Sequence, residues 1–262
     1  MSFSLGMPAL IDMPDLTDLV DLCQELELSF IELNMNLPEN SPEKLDPLEV
    51  RDISKRYDIE FTLHSHDELD LGSLHPTVRR GHLDAIKEVL DWSAQADIKV
   101  LNMHLGTGVY FTLPNRKVWI YEQYEEQFIE NLCSTHRDIL PLAQAYGVEI
   151  CTENVVNFHI PFVTRAINTL CRLEGFNLTW DIGHDARSDF KEREVLMRHE
   201  SRIKHMHLHD YNGISDHQVP GTGTLDIPAM LDFAQLKNIR VLVETKTPSS
   251  LRKSVKAVKS MI

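Results

Sequence analysis

Apolar and polar positions along the chain follow two alternating periods. Short apolar or β-branched runs occupy 2–7, 29–34, 59–64, 99–104, 148–153, 177–181, 203–209 and 240–244, which predicts eight strands. Longer stretches with a 3.6-residue repeat lie between them. Residues 15–26 place Leu16, Leu19, Val20, Cys23 and Leu26 on one helical face. Further helices are predicted over 48–57, 75–96, 121–146, 160–173, 189–200, 228–236 and 249–260, with Pro141 a candidate kink or break in the fourth. Eight strands alternating with eight helices predict an α/β fold, a single (β/α)8 TIM barrel domain over 1–262. An open doubly wound sheet uses the same alternation, but no GxGxxG follows the first strand.

The strand ends carry the chemistry. Six consecutive strands finish in polar segments: LHSH, NMHLG, CTEN, TWDIGH, HMHLHD and LVETK. In a barrel these ends share one mouth, where active sites are built. Side chains alternate between faces with a period of two. Thr62, His64 and His66 therefore share a face, as do Asn102 with His104, Cys151 with Glu153, Thr179 with Asp181, and His205 with His207 and His209. The intervening residues Leu63, Met103, Ile150, Trp180, Met206, Leu208 and Val243 are apolar and should face the helices. Glu153, Asp181, His207 and Glu244 should then converge on the barrel axis.

Three carboxylates in one partly buried mouth repel each other and lose hydration, at several kcal/mol per unpaired ion. Few Lys or Arg lie at these strand ends, and Lys246 is the nearest in sequence. A divalent cation held by Glu153, Asp181, His207 and Glu244 relieves the problem with one ion. Mn²⁺, Mg²⁺, Co²⁺ and Zn²⁺ all suit carboxylates with one imidazole. His64, His104, His184 and His217 form a second tier of candidate ligands, and His66, His205 and His209 a third. Blander roles exist for single members: Glu244 pairing with Lys246, and Asp181 capping the turn that follows it. After the seventh strand, the glycines of PGTG would let backbone N–H groups approach an oxyanion or phosphate. A plain turn is the alternative, and Asp226 is a candidate helix N-cap with Pro228 in the first turn.

Composition narrows the partners. There are 26 Lys and Arg against 40 Asp and Glu, a formal net charge of −14, with 42% hydrophobic and 25% charged residues. This acidity argues against nucleic acid and anionic membranes, which need basic footprints. No run approaches the roughly 18 apolar residues of a membrane span. The N-terminal segment does not read as a signal peptide, and the four widely spaced Cys form no CxxC. A cytoplasmic protein with reduced thiols is expected.

On CTEN, WDIGH, MHLHD, HQVPGTGTLDI, VET and IELNMN, in that order, the sequence resembles the xylose isomerase-like TIM barrels. These include sugar isomerases, ketose 3-epimerases and endonuclease IV. The epimerase and inositol-catabolism branches imply one divalent metal on Glu153, Asp181, His207 and Glu244. They also imply Glu153 and Glu244 as catalytic acid and base, and His184 against substrate oxygens. The expected reaction is sugar or sugar-phosphate isomerisation or epimerisation, with carboxylates moving a proton through an enediolate that the metal stabilises. The epimerases' Arg after the seventh-strand His is replaced here by the segment Asp210-Tyr211-Asn212-Gly213.

The endonuclease IV branch implies instead two or three zinc ions, drawing also on His64, His104, His184 and His217. Against that alternative, Ser215 falls at the third-zinc Asp, with Asp216 one residue out of phase. The loop after His64 carries Asp67 and Glu68, where DNA phosphates would lie. A non-catalytic metal-binding barrel is the third alternative, although both glutamates are present. Association into a homo-oligomer is left open.

Overall fold

The computed structural model describes residues 3–262. Eight parallel strands close into a barrel. They are β1 (Leu5–Pro8), β2 (Phe30–Asn34), β3 (Glu60–His64), β4 (Val100–His104), β7 (Glu149–Glu153), β8 (Phe176–Asp181), β9 (Ile203–Leu208) and β10 (Arg240–Val243). β1 pairs with both β2 and β10, which completes the ring. Ser2, in the first predicted strand, lies outside the described residues.

The helices pack around this ring: α1 (Leu16–Glu25), α2 (Pro47–Tyr57), α3 (Pro76–Ala96), α4 (Ile120–Gln123), α5 (Glu125–Tyr146), α6 (Pro161–Leu170), α7 (Ile182–Arg187), α8 (Arg193–Arg198), α9 (Ile227–Lys237) and α10 (Pro248–Lys259). Their starts follow simple chemistry. Pro47, Pro76, Pro161, Pro228 and Pro248 each stand in a first turn, where a missing N–H costs nothing. Asp226 caps α9 through Ala229 N, as its position in the sequence suggests. Asp58, Asp97, Gly147 and Asn238 close helices in the left-handed conformation.

Three segments depart from the periodicity reading. A two-stranded hairpin, β5 (Tyr110–Leu113) with β6 (Arg116–Trp119), stands between β4 and α4. Tyr110, Phe111 and Leu113 of its first strand are all exposed, so no alternating burial pattern marked it. The helix expected over 121–146 breaks at Tyr124, whose φ and ψ of −120° and 41° are not helical, and then continues through Pro141. The helix expected over 189–200 shortens to α8, while α7 forms directly after β8 because Asp181 caps it.

The strand alternation holds. Leu63, Met103, Ile150, Trp180, Met206, Leu208 and Val243 are all buried, and Trp180 meets Phe233 of α9 edge-on at 5.3 Å. At the lower end of the barrel, Phe30 lies beside Gly6, where a Cβ would come within 2.4 Å of the ring. Above this plug the interior turns polar, with Thr62, Asn102, Thr179, Glu32 and His205 all buried. Branched aliphatic side chains usually fill such a barrel. A buried polar layer must be fully paired to be tolerated, which directs attention to what it supports.

Candidate metal centre

Glu153 ends β7, Asp181 ends β8, His207 lies near the end of β9, and Glu244 follows β10. The strand register brings all four together. His207 Nδ1 lies 3.3 Å from Glu153 Oε1, 3.2 Å from Glu244 Oε2 and 3.9 Å from Asp181 Oδ2. Neither His207 Nδ1 nor Glu244 Oε2 has a hydrogen-bond partner, although both are buried. A buried carboxylate oxygen beside that nitrogen is costly unless a cation, a proton or a metal ion, stands between them. The donor set fits a divalent ion.

The blander roles and the convergence hold together, because each carboxylate divides its two oxygens. Asp181 Oδ1 accepts the His184 N–H at 2.6 Å and so caps α7, while Oδ2 faces the histidines. Glu244 Oε1 lies 2.5 Å from Lys246 Nζ, while Oε2 faces His207. Glu153 Oε2 accepts from Asn102 Nδ2, and Asn102 Oδ1 in turn accepts from Thr179 at 2.6 Å.

Two neighbouring clusters extend the centre. His64 Nε2 and His104 Nε2 lie 3.2 Å apart, and each is 3.6 Å from Glu153 Oε2. The opposite ring nitrogens are engaged: His64 Nδ1 with Ser65 O at 2.9 Å, and His104 Nδ1 with Asp67 Oδ1 at 3.1 Å. Protons on both Nδ1 atoms leave three lone pairs converging at Nε2, Nε2 and Oε2. A cation, either a proton or a metal ion, must stand among them. On the other side, Asp216 Oδ2 lies 3.3 Å from His184 Nδ1, and Asp216 Oδ1 lies 3.1 Å from His217 Nδ1. Asp216 thus touches both histidines, and its Oδ2 also accepts from Arg187 Nη1 at 3.0 Å. His66 leaves the strand face and joins none of these clusters.

Electrostatics reflects this crowding. Burial works against a charged His207, but Glu153, Glu32 and Glu244 around it hold its pKa well above the usual imidazole range. Burial likewise opposes a charged Glu153, but His207 and hydrogen bonds from the neighbouring histidines hold its carboxyl well below the usual range. His64, similarly buried but bonded to Glu153, is raised to about 9. Without a metal ion, protons on His207 and His64 supply the positive charge that the carboxylates need.

A supporting shell was not visible in the sequence pattern. Glu32 Oε1 lies 3.1 Å from His207 Nε2, and Glu32 Oε2 meets His205 Nε2 at 2.9 Å and Thr62 at 3.1 Å. Asn154 Oδ1 accepts the Asp181 N–H at 2.8 Å and its amide donates to Asp181 O at 2.9 Å, extending the β7–β8 ladder with a side chain. Glu192, wholly buried, accepts from Asn154 at 2.9 Å and from the Asn157 and Phe158 amides at 2.7 Å. Asn154 stands next to Glu153 and was findable. Glu192, just before a helix, carried no signal.

The glycine loop after β9 holds an anion of its own. Asp210 Oδ2 accepts the N–H groups of Gly221 and Gly223 at 2.9 and 2.8 Å, and Oδ1 those of Tyr211 and Leu225 at 2.8 and 3.1 Å. A Cβ on Gly223 would lie 2.3 Å from Asp210 Oδ1. These amides are therefore not open to a phosphate.

A family model described as xylose isomerase-like TIM barrel matches residues 20–261. The chain belongs to that family. Among family-like structures, a D-tagatose 3-epimerase-like protein superposes with a TM-score of 0.79 at 22% identity, covering 98% of this chain and 96% of the other. The IolI protein with a bound zinc atom gives a TM-score of 0.72 at 15% identity over 98% and 96%. These likenesses establish the shared barrel. In sequence, the chain is 26% identical over 179 residues to an uncharacterized protein of Methanocaldococcus jannaschii, covering 67% of this chain and 66% of that relative. The polar cluster sits at the C-terminal ends of the strands, the face on which (β/α)8 barrels build their sites. All four cysteines are free and buried. Among the described residues, no helix is long and apolar enough to cross a membrane.

Proposed function

We propose that this xylose isomerase-like barrel is a divalent-metal-dependent isomerase or epimerase of a sugar or sugar phosphate. The observation that carries the reading is the convergence of Glu153, Asp181 and Glu244 on the unpartnered Nδ1 of His207. Structures of this fold include a D-tagatose 3-epimerase-like protein, which supports the substrate class. Glu153, Asp181, His207 and Glu244 would hold the ion. Once bound, a divalent cation withdraws electron density from a carbonyl and its neighbouring hydroxyl, which acidifies the adjacent C–H.

The chain's own groups supply the proton transfers. Glu153 and Glu244 enter from opposite sides of His207, and both are held ionised by positive neighbours. One carboxylate removes the proton from the carbon beside the carbonyl, leaving an enediolate. If it returns that proton to the neighbouring carbon while the hydroxyl proton passes from one substrate oxygen to the other, the product is the isomer. If the other glutamate protonates the original carbon from the far side, the product is the epimer. His184, half-buried beside Asp181, would donate to a substrate oxygen.

A second reading rests on the two flanking clusters. His64 with His104 and Glu153, and His184 with Asp216 and His217, would suit two further ions, and a three-ion centre suits phosphodiester hydrolysis. The exposed Asp67 beside His104 disfavours a nucleic-acid backbone at that edge. One experiment separates the two readings. The Mn²⁺- or Zn²⁺-loaded protein is incubated in D₂O with a ketose panel and, separately, with duplex DNA containing an abasic site. Deuterium should enter the carbon next to the carbonyl, and Glu153→Gln or Glu244→Gln should abolish its entry. Strand cleavage without deuterium uptake would overturn the sugar reading.

A further inference from the structure

His209 sits two residues beyond His207 on the same face and is fully buried. Both of its ring nitrogens are used. The backbone N–H of His217 donates to His209 Nδ1 at 2.8 Å. An amide can only donate, and Asp210 O stands farther off at 3.4 Å, so Nδ1 is the accepting nitrogen and the ring proton is on Nε2. Nε2 lies 3.0 Å from Asp181 Oδ2, the oxygen that faces the metal centre, and donates to it. The ring stacks on His217 with centroids 4.2 Å apart and planes 15° from parallel. Gly183 makes room beneath, since a Cβ there would lie 2.0 Å from the imidazole. One ring thus ties the loop after β9 to a carboxylate that begins a helix on the neighbouring strand.

We propose that His209 is a positioning residue that couples the 210–225 loop to the metal centre. It orients Asp181 Oδ2 from behind and reports the seating of the loop through the His217 amide. A donor behind a ligating carboxylate fixes its orientation, and losing such a partner typically weakens metal binding by about 10–100-fold. Coupling through one ring is reciprocal: a metal that orders Asp181 also orders the loop carrying Asp216 and His217. The inference rests on metal binding at Asp181.

Two substitutions separate the two bonds. In His209→Asn, the side-chain oxygen stands near Nδ1 and can still accept the His217 N–H, but nothing reaches Asp181. In His209→Gln, the terminal amide stands near Nε2 and can still donate to Asp181, but the His217 amide loses its acceptor. Mn²⁺ affinity is measured by electron paramagnetic resonance titration, and loop order by hydrogen exchange at 211–225 with and without Mn²⁺. Wild type should bind Mn²⁺ and gain loop protection on binding. His209→Asn should bind at least 10-fold more weakly with near-normal protection in the metal-free protein. His209→Gln should keep its affinity within about threefold and lose the metal-induced protection. Equal affinity in wild type and His209→Asn would overturn the proposal while leaving the metal centre intact. No Mn²⁺ or Zn²⁺ binding by folded wild type would overturn the metal reading, and this inference with it.

Discussion

Replacing Asp210 by Asn should release the loop after β9 without unfolding the barrel. The carboxylate is completely buried and accepts four backbone N–H groups, two on each oxygen. Asparagine keeps the shape but turns one oxygen into a donor. Whichever way the amide is flipped, two of the four N–H groups then face an N–H. Hydrogen bonds to a charged acceptor contribute about 1.5–3 kcal/mol each. Gly221 and Gly223 are at the surface, and water can replace part of the loss, so the lower end applies: about 3 kcal/mol for two bonds. That amounts to roughly a hundredfold increase in the population of the open loop. The barrel should be little affected, because residues 211–225 contribute few buried apolar side chains. Native-state hydrogen exchange resolves this: amides of Gly221, Gly223 and Leu225 should exchange about a hundredfold faster, while core amides such as Leu208 and Val243 are unchanged. Asp226→Asn, which alters only the α9 cap at Ala229, is the control. Exchange at the loop within threefold of wild type would refute the reasoning, as would uniform acceleration of loop and core.

Three further outcomes follow from particular contacts. His136 is buried, donates from Nδ1 to Leu132 O at 2.7 Å, and has its pKa pushed down to about 4 by burial. The unfolded chain binds that proton near pH 6.5, so between 6.5 and 4 the unfolded state holds more protons and stability falls as pH falls, by up to about 3 kcal/mol. Urea unfolding across this window should give a shallower pH slope in His136→Gln, and an identical slope would count against the assignment. Gly183→Ala should cost about 1–3 kcal/mol by overpacking against His209, read as a lowered urea midpoint; an unchanged midpoint would show that the ring has room to move. A divalent metal at a hundred times its Kd should stabilise the fold by about 2.7 kcal/mol, and calorimetric scans with and without chelator that coincide would contradict a metal centre.

The barrel and the convergence at its mouth were legible because a parallel strand imposes a period of two on side chains that must choose between the axis and the helices. That rule sorted Leu63 from His64 and Met206 from His207 without any knowledge of the partners. It gives a face and not a depth. His205, His207 and His209 share one face, yet they stand at successive levels of the barrel: His205 on Glu32 beneath the centre, His207 with one nitrogen on Glu32 and one toward the three carboxylates, and His209 behind Asp181. Which of three equivalent histidines faces the three carboxylates therefore depends on the stagger between strands, here the pairing of Asp181 with His207 and Leu242 with His207. The loops were less legible still, because their hydrogen bonds join residues far apart in sequence. Asn154 reaches Glu192 across 38 positions, and neither has an apolar period to announce it. The hairpin escaped for the opposite reason, since Tyr110, Phe111 and Leu113 of its first strand are exposed on both faces and show no alternation. The clustered side chains sit at strand ends and are ordered by the sheet, so their positions can be read from the chain. Side chains that hold them in place are recruited through space, and only the folded structure reveals which they are.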